Sequence, residues 1–314
     1  MSASRSLVWG VAGLGALVLA CGLGPFFLAD TGDGDPSHAS LLPPLSRVTI
    51  LELTDGRTLM SPEVTIEEGI YLVRGPKSTS SIPADDVAAQ TGAHLWLGSD
   101  RFGRDVLRRL LEGGRISLAV AALGVTIALV VGLFVGLAAA TGGWVADAVL
   151  MRTVDALLAF PLLLLLILLS ALFRPGPVVL IAVLGLSTWM GLARLVRGQV
   201  LSLRTRSFIQ AARVAGTRWP RMWMLHYLPN LKAPVAQDTA LQMGNLVLAE
   251  ATLSFLGLGI PANLPSWGGM VAEGQRVMLD GWWLSVFPGF AITALVISLA
   301  LIGDGLQRRG KASA

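Results

Sequence analysis

The chain has 314 residues, of which 54% are hydrophobic and only 14% charged, with a formal net charge of +4 and a single cysteine. A soluble domain carries roughly a quarter charged residues, so this balance argues against an ordinary soluble enzyme and for an integral membrane protein. High hydrophobicity excludes disorder for most of the chain, and one cysteine allows neither an internal disulfide nor a zinc or iron–sulfur site.

A transmembrane helix needs about 20 largely apolar residues. The first such run is 7–29, with no charge between Leu7 and Ala29. Its Val18-Leu19-Ala20-Cys21 resembles a lipoprotein cleavage site. The stretch is longer than a signal core and Leu19 is a poor residue there, which favours an uncleaved anchor. Residues 30–92 differ in composition. Thr31 to Ser37 reads as a loop, Arg47 to Leu53 and Gly69 to Val73 as β-prone pieces, Asp55-Gly56 as a hairpin turn and Ser78 to Ser81 as a linker. Five more runs follow: 116–140, 156–173, 177–193, about 234–258 and about 282–302. Gly132 and Gly136 form a small-xxx-small pattern that allows close helix packing. Pro161 is expected to kink the third run.

Charges inside spans are costly and mark candidate functional positions. Glu250 lies within the fifth run and Asp155 near the inner end of the third. With Pro161 they are candidate pore or interface residues, and a plain packing hydrogen bond is the competing role for Glu250. Asp238 and Asp304 lie near run ends, where they reach the headgroups. Trp267, Trp282 and Trp283 read as interfacial aromatics.

Lysine and arginine orient the chain. Residues 194–232 hold Arg194, Arg197, Arg204, Arg206, Arg213, Arg218, Arg221 and Lys232 and no Asp or Glu. This loop is expected in the cytoplasm, with both termini. Residues 30–99, with four basic against ten acidic side chains, are then outside. The five arginines between Arg101 and Arg115 are the exception to this vote.

Within the basic loop, Phe208 to Gly216 followed by Leu225-His226-Tyr227-Leu228-Pro229-Asn230 predicts a helix, a break at Gly216, a second short helix and a stop at Pro229. Ala211 and Ala212 are small enough to let another protein approach the backbone. This pattern resembles the EAA loop of permease subunits of ABC importers. More closely, the chain resembles the C-type permease of dipeptide and oligopeptide importers, whose relatives include nickel permeases. The resemblance runs from His94 to about Arg309 and rests on several blocks in order. They include Leu97 to Leu107, Asp155 to Pro161, Ala193 to Leu201, Leu248 to Gly259, Pro265 to Gly268 and Gly303 to Leu306. Gln210 stands where the family usually has Glu; it keeps hydrogen-bonding capacity and loses the charge. The segment before His94 is longer than the family norm.

The resemblance implies an all-α integral membrane protein with six transmembrane helices of the type I ABC importer permease kind and a small external β-rich segment. The expected organisation is a transmembrane helix at 1–29, an extracytoplasmic, partly β segment at 30–93, a permease core with five transmembrane helices at 94–309, and a cytoplasmic tail at 310–314. The implied location is the plasma membrane of a bacterium or archaeon. The implied partners are a second permease subunit in a heterodimer, two cytoplasmic ATPase subunits, an extracytoplasmic solute-binding protein and the membrane lipids. The loop at 207–230, with Gln210, Ala211, Ala212, Arg213, Gly216 and Pro229, would couple the ATPases to pore opening. Nickel import is the alternative within the family, and a docking protein without transport is the more distant one.

No Gly-x-x-x-x-Gly-Lys-Ser/Thr phosphate loop occurs, so ATP hydrolysis is expected in a partner. No metal-spaced Cys/His cluster or nucleophile elbow occurs, and His38, His94 and His226 are far apart. We therefore expect no catalytic residue, metal or cofactor. Topology accounts for the arginine-rich loop before nucleic-acid binding does.

Overall fold

The computed structural model describes residues 3–28, 34–173, 176–261 and 263–312. Helix α1 (Ala3–Phe27) precedes six strands: β1 (Ser46–Leu53), β2 (Thr58–Ser61), β3 (Glu63–Glu67), β4 (Ile70–Arg74), β5 (Thr79–Pro83) and β6 (Val87–Leu95). Then come α2 (Val106–Thr141), α3 (Gly143–Leu158), α4 (Leu162–Leu172) and α5 (Pro177–Leu203). Two short helices, α6 (Ser207–Val214) and α7 (Trp219–Met222), lead to α8 (Leu228–Phe255), α9 (Trp267–Gln275) and α10 (Trp283–Ala312).

Among the described residues α1, α2, α5 and α10 are long and apolar enough to cross a membrane, and α3 with α4 passes as a pair bent by 83°. This gives four or five spans by length and composition where the sequence predicts six. The shortfall is α8, which is 28 residues long but carries Asn230, Lys232, Gln237, Asp238, Gln242, Asn245 and Glu250. The third run also differs in extent. Its helix begins at Gly143, stops at Leu158 and resumes at Leu162 after an extended Pro161 (φ −58°, ψ 120°). Proline disfavours the helical conformation for the residue before it, and the chain bends between Leu158 and Leu162.

The chain forms two compact units. The first comprises Met1–Ala16, Ser117–Pro261 and Ile292–Ala314. In it α2 and α5 meet at the two expected glycines. A Cβ on Gly136 would lie 2.6 Å from the Ala193 carbonyl oxygen, and one on Gly132 would lie 3.0 Å from Leu192 and the Trp189 carbonyl. Only a hydrogen there lets the backbones approach this closely. Arg197 then clamps α3 through Asp147, with Nε and Nη2 at 2.5 and 2.6 Å from the two carboxylate oxygens.

The second unit comprises Leu17–Ile116 and Ala262–Ala291. Its strands form two antiparallel sheets, ordered β2-β1-β6 and β3-β4-β5. Ile50, Val48, Met60 and Leu95 fill one small core, and Leu51, Leu53, Val73 and Ile82 the other. The Asp55-Gly56 turn forms as expected, with Gly56 at φ +84°. The Arg57 backbone N–H donates to Asp55, and this bond, with the Arg57 guanidinium, holds the carboxyl below its usual range. Of the expected loop Thr31 to Ser37, residues 31–33 lie outside the described residues. The expected linker Ser78 to Ser81 is instead largely strand β5, whose pairing with β4 runs from Arg74↔Thr79 to Ile70↔Pro83. A run of serines reads as a linker, but Ile82 is buried and His38 Nε2 lies 3.0 Å from Ser80 Oγ. His38 Nδ1 lies 2.7 Å from Asp35, so the imidazole staples the 34–40 turns to the sheet.

The arginines from 101 to 115 all have partners. Arg104 pairs with Asp100 at 2.7 Å, Arg109 with Asp100 and with Glu273 at 2.8 Å, Arg101 with Glu273 at 3.3 Å and Arg108 with Glu112 at 3.0 Å. A count of basic residues treats these charges as free, whereas four of the five are ion-paired. Asp105 caps the start of α2 by accepting from the Leu107 N–H at 2.8 Å; burial pushes its carboxyl up. Arg115 has a different target. Pro25 lies inside α1 and has no N–H to give to the carbonyl four residues back, that of Cys21. Arg115 Nε donates to that oxygen at 2.7 Å, and Nη2 to the Gly22 carbonyl.

Arg115→Ala should therefore lower the stability of the purified protein by about 1–3 kcal/mol, the cost of buried acceptors left without donors. The loss should shrink in a Pro25→Ala background, where residue 25 regains its N–H. Thermal unfolding of the two single variants and the double variant measures this coupling, and strictly additive losses would separate the two residues.

Candidate functional site

The loop after α5 is built on a buried anchor. Ile209 of α6, Met222 of α7 and Tyr227 of the π-helical turn Trp223–Tyr227 are buried among Leu137 and Ala140 of α2, Leu192, Val196 and Val200 of α5, and Leu231 of α8. Two polar bonds fasten the same place. Arg204 Nη1 donates to the Ala140 carbonyl at 2.7 Å and Trp223 Nε1 to Thr141 Oγ1 at 3.2 Å. Both acceptors lie in the last turn of α2; the Ala140 carbonyl there lacks a helical donor, and the Arg204 cation meets the negative end of the dipole.

Gly216 turns the chain between the short helices. Its N–H donates to the Arg213 carbonyl at 3.0 Å and that of Thr217 to Ala212 at 3.1 Å. This paired closure needs a left-handed residue, and Gly216 has φ +75°. The expected stop at Pro229 does not occur. Pro229 lies in the first turn of α8, where a missing N–H costs nothing, and the helix runs on to Phe255.

The opposite face of this element is open. Gln210, Ala211, Arg213 and Gly216 are exposed, as are Val214 at 90% and Trp219 at 66%. Ala212 is half-buried against the anchor. Gln210 makes one long contact, Nε2 to the Thr205 carbonyl at 3.5 Å. Small and apolar side chains fringed by Arg213, Arg218 and Arg221 form an exposed face on a backbone anchored from behind.

The other sequence-predicted residues lie elsewhere. Glu250 is fully buried; it accepts from Ser117 Oγ of α2 at 2.9 Å and from Ser254 Oγ one turn on at 2.7 Å. Ser254 Oγ in turn accepts from the Ile260 N–H at 3.2 Å. Asp155 is exposed and paired with Arg194 of α5 at 2.6 Å. Pro161 lies at the bend between α3 and α4. Pro229 and Glu250 are about 30 Å apart along α8, at 1.5 Å per residue, so the loop and the intramembrane acid are not one site. Sequence reasoning missed the Asp147–Arg197 clamp and the partners of Glu250. A lone Ser117 or Asp147 in a long run carries no periodic signal of its own.

A bundle of long apolar helices, interrupted on one side by a compact basic loop, defines an integral membrane permease of the type I ABC importer fold. The family described as "binding-protein-dependent transport system inner membrane component" matches residues 116–310, and the chain belongs to it. It is a family of membrane permeases rather than of enzymes. A peptide transport system permease protein named in Brucella suis is 41% identical over 216 residues, covering 68% of this chain and 72% of that one. The dipeptide transport system permease protein DppC of Alkalihalophilus pseudofirmus is 37% identical over 228 residues, covering 72% and 74%. Among solved structures, an inward-facing MetNI methionine ABC transporter chain matches with a TM-score of 0.51 at 20% identity, covering 65% of this chain and 96% of that one.

Replacing Glu250 by Leu should strand the Ser117 and Ser254 hydroxyls at about 1–3 kcal/mol, seen as lower membrane abundance, with Glu250→Gln milder. Uptake per assembled molecule should stay near the parent level. A drop beyond the loss of abundance would give Glu250 a role beyond packing.

Proposed function

We propose that this chain is one of two permease subunits of an ATP-driven importer of dipeptides or oligopeptides in a bacterial or archaeal plasma membrane. A second, different permease subunit completes the pore, two cytoplasmic ATPases drive it, and an extracytoplasmic solute-binding protein delivers the cargo. The observation that carries this reading is the loop at 207–230, which is buried and hydrogen-bonded on one side and open on the other. Its position between a long apolar helix and α8 supports assignment as the ATPase-docking element. Both termini and this loop are cytoplasmic in this reading, and residues 30–93 are extracytoplasmic. The names of the relatives support a peptide cargo.

The mechanism follows from the anchor. ATP binding draws the ATPases together. The face of Gln210, Ala211, Arg213 and Gly216 moves with its ATPase, and Ile209, Met222 and Tyr227 pass the displacement to the ends of α2, α5 and α8 as a rigid body. An ATPase that docks differently in its two nucleotide states biases the permease between two conformations by that difference in affinity. Gln210 offers a neutral hydrogen bond where a carboxylate would offer a charge-assisted one of about twice the strength.

Ala211→Arg should abolish ATPase co-purification while leaving membrane abundance unchanged. Gly216→Pro should act through the turn, since proline holds φ near −65° and Gly216 needs +75°. Normal co-purification of both variants would remove the docking role. For cargo, cells deleted for this chain should lose uptake of labelled dipeptides, restored by the gene and not by its Ala211→Arg form. Loss of nickel uptake alone would replace the cargo and keep the architecture.

A further inference from the structure

Four helices of the first unit leave an apolar groove between them. Leu14 of α1, Leu133 of α2, Leu231 and Val235 of α8, and Leu299 and Ile302 of α10 line it, around a volume of about 630 Å³. Ligand clefts of proteins run from roughly 300 to 1,000 Å³. Its floor is firm, because Leu231 and Val235 also belong to the buried anchor of the loop and Leu133 packs against that anchor. Lys232 is the charged residue of the lining. It stands at one end, and the floor runs from it along α8 to Met243, about 16 Å at 1.5 Å per residue. Along α10 the neighbours change in step. A Cβ on Gly244 of α8 would lie 3.9 Å from Leu299, one on Gly303 would lie 3.2 Å from Leu241 of α8, and one on Gly305 would lie 2.8 Å from Leu7 of α1. The first turns of α1 and α8 therefore share one end of the groove, and Arg5 joins Lys232 there. Both are exposed, and among the described residues neither has a hydrogen bond or an ion pair. Asp304, the carboxylate at this end of α10, is taken up by Arg308 at 2.9 Å. Asp238 does not line the groove.

A hydrocarbon slot that ends in two unpaired cations is complementary to an amphiphile with an anionic head, and basic pockets between membrane helices hold such headgroups. We propose that the groove binds an anionic phospholipid of the surrounding membrane, with an acyl chain along Leu14, Leu231, Val235 and Leu299 and the phosphate at Lys232 and Arg5. Lysine suits the mouth of such a slot, since its apolar stem lies along the wall while its compact charge reaches the water boundary. The bound chain completes the packing on the open side of Leu231 and Val235, so lipid backs the anchor that holds the loop at 207–230. The site serves a permease of any cargo.

The complete transporter is reconstituted in phosphatidylcholine nanodiscs that contain a small share of phosphatidylglycerol or of phosphatidylcholine with a diazirine in the acyl chain. After illumination the cross-links are mapped by peptide mass. Phosphatidylglycerol should label the groove at Leu14, Leu231 or Leu299 more heavily than it labels Val130, an exposed apolar position of α2. Lys232→Gln should lower groove labelling by phosphatidylglycerol about fivefold, the scale of one basic side chain at an anionic surface, and leave labelling by phosphatidylcholine unchanged. Ala236→Trp, from an exposed position on the groove wall, should fill the slot and remove labelling by both lipids. Labelling of Val130 at the parent level in each variant shows that the transporter has assembled. Equal labelling of the groove and Val130 in the parent would overturn the proposal and leave only lipid that surrounds any membrane protein. Equal groove labelling by the two lipids would overturn the role of Lys232 and Arg5. A groove that neither lipid labels, beside a labelled Val130, would overturn the proposal in favour of a protein segment from another subunit.

Discussion

A helix in hydrocarbon must satisfy its own polar groups, because the solvent offers neither donor nor acceptor. Several departures from a regular apolar helix in this chain come with a specific repair. Pro25 deprives the Cys21 carbonyl of its donor, and Arg115 supplies one. Glu250 enters the core and finds two serine hydroxyls. The Ala140 carbonyl in the last turn of α2 ends on Arg204, and Asp147 ends on Arg197. These pairs join residues distant in sequence, so they also fix which helices are neighbours. Gly132 and Gly136 add the complementary condition, a contact close enough for those bonds to form.

The same economy sets up the loop. In the docking role proposed for it, the loop passes force only if it is stiff relative to its own attachment. Ile209 and Tyr227 are almost wholly buried, and Gly216 closes α6 with two backbone bonds rather than a loose turn. The exposed side then needs no specific geometry of its own beyond small size and shape. Gln210 fits this view, since a face defined by backbone stiffness and close approach depends less on one carboxylate.

Much of this was legible in the sequence. Run length gave the membrane class and four of the long helices, and Ala211-Ala212 with Gly216 gave the first helix of the loop and its break, but not a stop at Pro229. The strands were harder. Val87 to Leu95 reads Val-Ala-Ala-Gln-Thr-Gly-Ala-His-Leu, with almost no alternation, and it becomes a strand because β1 offers it a full ladder. The serines of β5 were mistaken for a linker for the same reason, as pairing came from β4 rather than from their own propensity. The bend at Pro161 was legible, but not the helical turns before it, because Asp147, Arg152 and Asp155 break the apolar run of α3. Two of those charges are neutralised by Arg197 and Arg194, residues some 40 to 50 positions away.

Helix α8 shows where composition stops being a guide to place. It is the long helix that fails the test of apolarity, and it fails for two unlike reasons. Glu250 and Gln242 are polar residues turned inward, where Ser117, Ser254 and the Thr188 carbonyl receive them. Asp238 is half-buried and Asn245 exposed, with no such reception among the described residues. An average over the helix adds the two sets together and reports only a weak span. Gln242 lies only about 40° around the helix from Asp238, so what separates the two sets is whether a neighbouring helix supplies a partner.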